Sequence, residues 1–371
     1  MAEASPDTTA PAPPENGPSK ATPSRDESIS DYAEQSDLPT YTSYKCAHTL
    51  TGHTRAVSSV RFSHSGASLA SASADGTARV WDADTGSCLH VLQGHSKGLN
   101  DVAWAPSDAH LATASDDYTL RLWNAGTGAP LRTLRGHTHF AMCVAFSATG
   151  VLLVSGSFDE TIVVWDVATG QAIRVIPGHS DPITSVAFSR DVLNPAIVSS
   201  SFDGLIRVWA GDTGNCLVSL LATGGPPVSF AAFTPNDKYV LAGRVDGKIV
   251  LWNYHTKQPL RTFEGHKNTK FCLQAAFLCL GVEETGSSAP PAAVVCGSED
   301  HHIYVWGVNG SQGGVAPLLG LLRGRAGPDD PGEGHCDVVL SVAAHPHLPV
   351  LASCGHERDR SVKIWRHESL P

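Results

Sequence analysis

The chain has no apolar run approaching the roughly 18 residues that a membrane-spanning helix requires. Its longest candidate, Phe271–Val282, is too short and is interrupted by Gln274. The N-terminus lacks a basic start followed by an apolar segment, so no secretory signal and no secretion are expected. Cysteine is sparse, nine in 371 residues, odd in number and without a CxxC pair. A disulfide framework or zinc site is therefore not expected, and a reducing compartment is the natural reading. Positive charge is also short: 26 Lys and Arg face 36 Asp and Glu, for a net charge of −10. That balance argues against direct nucleic-acid binding or a membrane surface.

What the sequence does hold is turn-forming residues, 35 Gly and 24 Pro, with 42% apolar residues. The combination favours many short strands. Residues 1–40 stand apart. They contain seven of the prolines and eight acidic against two basic residues. No apolar run there repays the ordering entropy, so a disordered acidic tail is expected, with the folded domain over 41–371.

A repeat governs that domain. Gly-His pairs end at His53, His95, His137, His179, His266 and His335, and each is followed by a Trp: Trp81, Trp123, Trp165, Trp209, Trp306 and Trp365. Trp252 marks a seventh unit, with Gly224-Gly225 in place of Gly-His. Six positions before every one of these seven Trp stands an Asp: Asp75, Asp117, Asp159, Asp203, Asp246, Asp300 and Asp359. Eight positions before most of them stands a Ser: Ser73, Ser115, Ser157, Ser201 and Ser298. Within a unit, Val57–Ser63, Ser68–Ser73, Thr77–Asp82 and Cys88–Gln93 read as four strands separated by Ser-Gly, Asp-Gly and Thr-Gly turns. Four strands in about 42 residues is the blade of an all-β, seven-bladed WD40 β-propeller.

The repeated polar residues need partners once buried. A chain from Trp81 through Ser73 and His53 to Asp75 is expected to satisfy all four, and likewise Trp123, Ser115, His95, Asp117 and Trp165, Ser157, His137, Asp159. A hydrolase triad uses the same residue types. A catalytic site is needed once, however, whereas a structural joint is needed in every blade. No catalytic residue, cofactor or metal is therefore expected. His301-His302 and His345/His347 lack the spacing or acidic partners of a metal site. The strand Tyr44–Leu50 is expected to pair onto the last blade and close the ring. Two polar insertions, Gly281–Ala292 and Arg325–Glu333, are expected to be surface loops.

The stretches HTRAVSSVRFS, SGSFDETIVVWD, GHSDPITSVAFSRD, SSSFDGLIRVW, PPVSFAAFTPNDKYVLAG and GHKNTKFC resemble one subfamily. It is that of WD repeat-containing protein five, the scaffold at the centre of COMPASS/MLL-type histone H3 lysine-4 methyltransferase complexes. The resemblance implies a non-enzymatic, monomeric propeller in a nuclear chromatin complex, with a cytoplasmic pool also allowed. The implied partners are a SET-domain methyltransferase subunit, companion scaffold subunits and a weakened histone H3 tail. A WD40 adaptor of a ubiquitin ligase or splicing particle is the alternative.

The resemblance further implies that the channel mouth takes an arginine side chain. Its lining would be Ser58, Ala70, Asn100, Asp116, Phe158, Thr184, Phe202, Ser229, Phe271, Cys272 and Leu340. Met142 and Gln274 stand where the family has two rings that sandwich the guanidinium, and a further rim position is His356. Losing two cation–π contacts costs roughly 1–4 kcal/mol. Phe140, two residues before Met142 on what reads as the same strand, and Phe271 are the candidate replacements. On the opposite face, Asn236, Tyr239, Leu251, Arg261 and Phe277 are the implied groove for an acidic-apolar partner segment.

Overall fold

The computed structural model describes residues 44–220, 225–279, 292–308, 314–325 and 332–368. The expected tail over 1–40 and most of both insertions lie outside these residues.

Among the described residues, twenty-eight strands form seven four-stranded antiparallel sheets. The closing strand β1 is Tyr44–Leu50. Blade one comprises β2 (Val57–Phe62), β3 (Ser68–Ser73), β4 (Thr77–Asp82) and β5 (Cys88–Gln93). Blade two comprises β6 (Leu99–Trp104), β7 (His110–Ser115), β8 (Thr119–Asn124) and β9 (Pro130–Arg135). Blade three comprises β10 (Ala141–Phe146), β11 (Leu152–Ser157), β12 (Thr161–Asp166) and β13 (Ala172–Pro177). Blade four comprises β14 (Ile183–Phe188), β15 (Ala196–Ser201), β16 (Ile206–Ala210) and β17 (Cys216–Leu220). Blade five comprises β18 (Val228–Phe233), β19 (Val240–Arg244), β20 (Lys248–Asn253) and β21 (Gln258–Phe263). Blade six comprises β22 (Ala275–Cys279), β23 (Ala292–Gly297), β24 (Ile303–Gly307) and β25 (Leu318–Leu322). Blade seven comprises β26 (Val339–Ala344), β27 (Val350–Gly355) and β28 (Val362–His367).

The seventh sheet has the order β1-β28-β27-β26, so the first strand among the described residues completes the last blade. Tyr44 faces His367 and Leu50 faces Val362 in this antiparallel pairing. The expected closure is observed, and it leaves no open blade.

Apolar packing follows the same sevenfold plan. The buried side chains divide into seven clusters, and each spans a seam between neighbouring blades. The Trp side chains that recur in the sequence are inside these seams; Trp81, Trp123, Trp165, Trp306 and Trp365 are at most 3% exposed.

The innermost strands surround a cavity of about 410 Å³. Equivalent positions in their registers are Arg61, Ala103, Ala145, Ala187, Ala232, Ala276 and Ala343. Six small side chains keep the bore open, and one arginine enters it. Arg61 Nη1 donates to Ser341 Oγ at 3.4 Å, and its Nη2 lies 3.7 Å from Asp101 Oδ1. Ser59 Oγ donates to the same Asp101 oxygen at 2.7 Å. The lone cation of this ring is thus neutralised within the channel wall.

Candidate functional site

The polar chain of each blade is built from the turn inward. In blade one, Trp81 Nε1 donates to Ser71 Oγ (2.9 Å), Ser71 Oγ meets His53 Nε2 (2.8 Å), and His53 Nδ1 meets Asp75 Oδ2 (2.9 Å). Every group is matched when the imidazole is neutral and carries its proton on Nδ1. Thr54 N–H and Thr77 Oγ1 also donate to the Asp75 carboxylate. The same chain runs through Thr113 in blade two, Ser155 in blade three and Ser199 in blade four; in blade seven Ser353 links Trp365 to His335, whose Nδ1 lies 3.1 Å from Asp359 Oδ2.

This corrects the expected serines. Ser73, Ser115 and Ser157 do not bridge Trp to His. The bridging hydroxyl stands ten positions before the Trp in blades one to four and twelve before it in blade seven; in blades one to four it lies two residues before the expected serine, on the same face of the strand. Ser73 instead accepts from Asp75 N–H and donates to Ala56 O, which holds the turn beside the inner strand. Burial lowers the basicity of His95, His179 and His335 below the usual imidazole range. For Asp117, desolvation opposes the shift, but bonds from Thr119, His95 and Ser96 outweigh it and bring the carboxyl down to about 2.

Arginines two positions before the Trp add a tie that sequence reading missed. Arg79 Nη2 donates to Gly52 O, and Arg79, Arg121 and Arg207 lie about 6 Å from the centroids of Trp81, Trp123 and Trp209. Their spacing to the repeated Trp was the available signal.

Blades five and six break the pattern. In blade five, Trp252 Nε1 is buried without a partner, and Asp246 pairs with Arg244 at 2.6 Å. In blade six, Tyr304 Oη donates to Asp300 Oδ2 at 2.8 Å, and buried His266 keeps Nδ1 without a partner. Burial depresses the His266 pKa to about 4.

At the channel mouth, one backbone bond recurs. The residue that follows the second strand donates to the residue preceding the first: Ala74 to Ala56, Asp116 to Gly98, Phe158 to Phe140 and Phe202 to Pro182, each between 2.9 and 3.1 Å. His356 donates to Val338 in the same way. The inner strand bulges just beyond this bond, and the bulged residues are Ser58, Asn100, Met142, Thr184, Ser229 and Leu340. The structure thereby gathers these residues, with Asp116, Phe158 and Phe202, at one rim.

Ala70 does not belong there. It is fully buried in the seam between blades one and two, paired with Arg61 and Val80 inside the sheet. Ala74 occupies the rim position of blade one.

Several rim groups are engaged in joining blades. Ser58 Oγ donates to Leu99 O (2.7 Å), Asn100 Nδ2 to Ala141 O (2.9 Å), and Thr184 Oγ1 to Val228 O (2.8 Å). Asn100 also donates to Asp116 Oδ1 at 2.8 Å. Ser229 Oγ is buried with no partner. Gln274 accepts from Ser341 Oγ at 2.9 Å, and its N–H donates to Leu340 O. Burial raises the Cys272 thiol pKa to about 11, so it stands as a neutral thiol.

The mouth rings form two groups. Phe140 precedes β10 rather than lying on it, because the bulge at Met142 interrupts the alternation. Its ring packs with His139 (4.3 Å), Tyr118 (5.8 Å) and Phe158 (5.9 Å). Phe271 packs instead on His356 at 5.0 Å. The protein's own ammonium groups already lie over both groups. Lys97 Nζ is 6.0 Å from the Phe140 centroid, and Lys270 Nζ is 5.3 Å from that of Phe271.

On the other face, Leu251 and Arg261 are each 7% exposed, Tyr239 and Phe277 are half-buried, and Asn236 is exposed. Leu251, Tyr239 and Phe277 share the seam cluster of blades five and six. No group of three or more His, Cys, Asp or Glu with metal-binding geometry occurs among the described residues.

A closed ring of seven four-stranded blades, tied by Trp–Ser/Thr–His–Asp chains, defines a WD-repeat β-propeller. The chain belongs to the family described as the WDR5 beta-propeller domain, which matches residues 49–366. It is similar to Protein Mut11 of Chlamydomonas reinhardtii, at 49% identity over 63 residues, 17% of each chain. It is also similar to COMPASS component SWD3 of Saccharomyces cerevisiae, at 30% over 133 residues, 34% of this chain and 40% of that protein. The periodic tryptophan protein 2 homolog of Dictyostelium discoideum matches at 28% over 172 residues, 46% of this chain and 16% of that one. The matched regions span between 16% and 40% of these relatives' lengths.

Proposed function

We propose that this propeller is a non-catalytic scaffold and peptide-binding subunit of a nuclear, COMPASS-like histone H3 lysine-4 methyltransferase complex. The observation that carries the proposal is the family match over 49–366 joined to the likeness to a COMPASS component. A SET-domain subunit and companion scaffolds are the partners this reading assigns, with the exposed side of the blade five–six seam, around Asn236, Tyr239 and Phe277, as their second contact.

The channel mouth is a re-tuned rather than lost peptide pocket. The Asp116 carboxylate and the unpartnered Ser229 hydroxyl remain acceptors for a guanidinium. The two flat faces are gone: Met142 contributes dispersion only, and Gln274 is held by Ser341. An entering arginine must also compete with Lys97 and Lys270 for the ring faces. Calorimetric titration with an alanine-flanked arginine peptide is expected to show weak, saturable binding at the mouth. No saturation at millimolar peptide removes the pocket from this reading. Affinity purification that recovers no methyltransferase subunit removes the complex.

A further inference from the structure

The central channel contains donors that its own wall does not use. Asp101 is supplied from the wall: Ser59 Oγ and Val102 N–H donate to its Oδ1 at 2.7 and 3.0 Å, and Val144 N–H donates to its Oδ2 at 3.2 Å. The Arg61 guanidinium lies 3.7 Å from Asp101 Oδ1, near enough to balance charge but too far for a hydrogen bond. Its Nη1 donates to Val60 O at 3.1 Å and to Ser341 Oγ at 3.4 Å. Its Nε and Nη2 protons have no hydrogen-bond acceptor among the described residues, and the side chain, which lines the cavity, remains 35% exposed.

Ser341 ties a second donor to the first. Its Oγ accepts from Val60 N–H and from Arg61 Nη1, so its own proton goes to Gln274 Oε1 at 2.9 Å. That bond fixes the amide. The carbonyl faces Ser341, and the Nε2 protons are left without a partner among the described residues. Gln274 lines the same cavity as Arg61. The alanines of the bore complete its wall with methyl groups and no polar side-chain atom.

We infer that Arg61 and Gln274 form a carboxylate site inside the channel, for an acid group carried on a short aliphatic stem. A carboxylate accepts from a guanidinium edge and an amide together, in charge-assisted bonds. The alanine methyls suit an unbranched stem of a few carbons and leave a second charge or a hydroxyl on it unpaired. Both a free short-chain acid and a glutamate side chain carry this group. The ligand is opposite in charge to an arginine, and the site uses neither Asp116 nor Ser229, so the inference does not rest on what the mouth binds.

Saturation-transfer NMR on the full chain tests the site, with butyrate as the probe and butyramide as its uncharged match. Butyrate is expected to bind saturably, and more tightly than butyramide by roughly tenfold or more. Arg61→Gln is expected to weaken butyrate binding by roughly tenfold or more. Gln274→Glu sets a carboxylate of the chain's own one serine away from the guanidinium and is expected to abolish butyrate binding. Asp101 keeps its wall donors in both variants, and a thermal melt like that of the wild type checks their fold. Competition between butyrate and a doubly capped Ala-Glu-Ala tripeptide identifies a partner's side chain as the source of the carboxylate; butyrate binding without tripeptide binding identifies a free acid. Three results overturn the proposal: no saturable butyrate binding, butyramide bound as tightly as butyrate, or both variants binding butyrate as the wild type does. If one variant fails to fold the other supplies the reading, and the comparison with butyramide needs neither.

Discussion

Trp306 donates its indole N–H to the Glu264 carbonyl at 3.0 Å, not to the residue ten positions upstream. That residue is Cys296, whose thiol is a weak acceptor where blades one to four have a hydroxyl. Burial pushes the thiol pKa well up, so it remains neutral and cannot act as an anion in the seam. Cys296→Ser places a hydroxyl where blades one to four carry one, and the Trp306 indole can exchange its backbone acceptor for it. It is expected to stabilise the ring by about 0.5–1.5 kcal/mol, read as a higher urea midpoint at unchanged slope.

The correction of the bridging serine gives a paired test. Ser71→Ala leaves an indole N–H and an imidazole nitrogen buried without partners, at a cost of roughly 2–4 kcal/mol. Ser73→Ala removes only a turn clamp and is expected to cost about 1 kcal/mol. Equal destabilisation of the two variants in urea melts contradicts the assignment.

Acid should unfold the ring in two stages. His95, His179, His266 and His335 have depressed pKa values in the fold, so the unfolded chain takes up protons first. Stability is full above about pH 6.5 and falls as pH drops toward the lower folded values. Asp117, near 2 in the fold, adds a second loss below about pH 4, the unfolded carboxylate range. Thermal melting from pH 8 to pH 3 is expected to show a plateau followed by progressively steeper decline. A midpoint that rises on acidification refutes the neutral-imidazole chain.

Restoring rings at the mouth should restore grip on a guanidinium. The double variant Met142→Phe, Gln274→Phe is expected to bind an arginine peptide more tightly by roughly 1–4 kcal/mol, tenfold to several-hundredfold. Loss of the Gln274–Ser341 bond offsets part of that gain. Calorimetry showing no gain places the peptide elsewhere.

Removing Tyr44–Leu50 opens the seventh blade and exposes β28. Loss of the single cooperative transition is expected, visible as a broadened melt by circular dichroism. A truncated chain that melts as sharply as the full one rejects closure by this strand.

The blade count and the His–Asp pairs were legible because each repeats at near-constant spacing, and the closing strand because a strand pattern precedes the first Gly-His pair. Ser71 was not, since Thr113, Ala242 and Cys296 interrupt the serines of its column, while the more regular Ser73 column drew the assignment. Ala70 was misplaced for a related reason. Ala70 and Ala74 look alike in a Leu-Ala-Ser-Ala-Ser-Ala run, and only strand register distinguishes them. Phe140 was put on a strand because alternation was extended past a bulge that leaves no mark in composition. The Arg61–Ser341–Gln274 chain joins residues of three blades, and no local pattern announces it.

The pairing of β1 with β28 joins residues some three hundred positions apart. During synthesis β1 therefore emerges from the ribosome with no partner, and its edge must wait until all six intervening blades and most of the seventh have been translated. Non-local pairing of this kind is intrinsically slow. Until it forms, the nascent ring presents an unpaired strand at each of its ends, and chaperone demand should peak just before β28 is made.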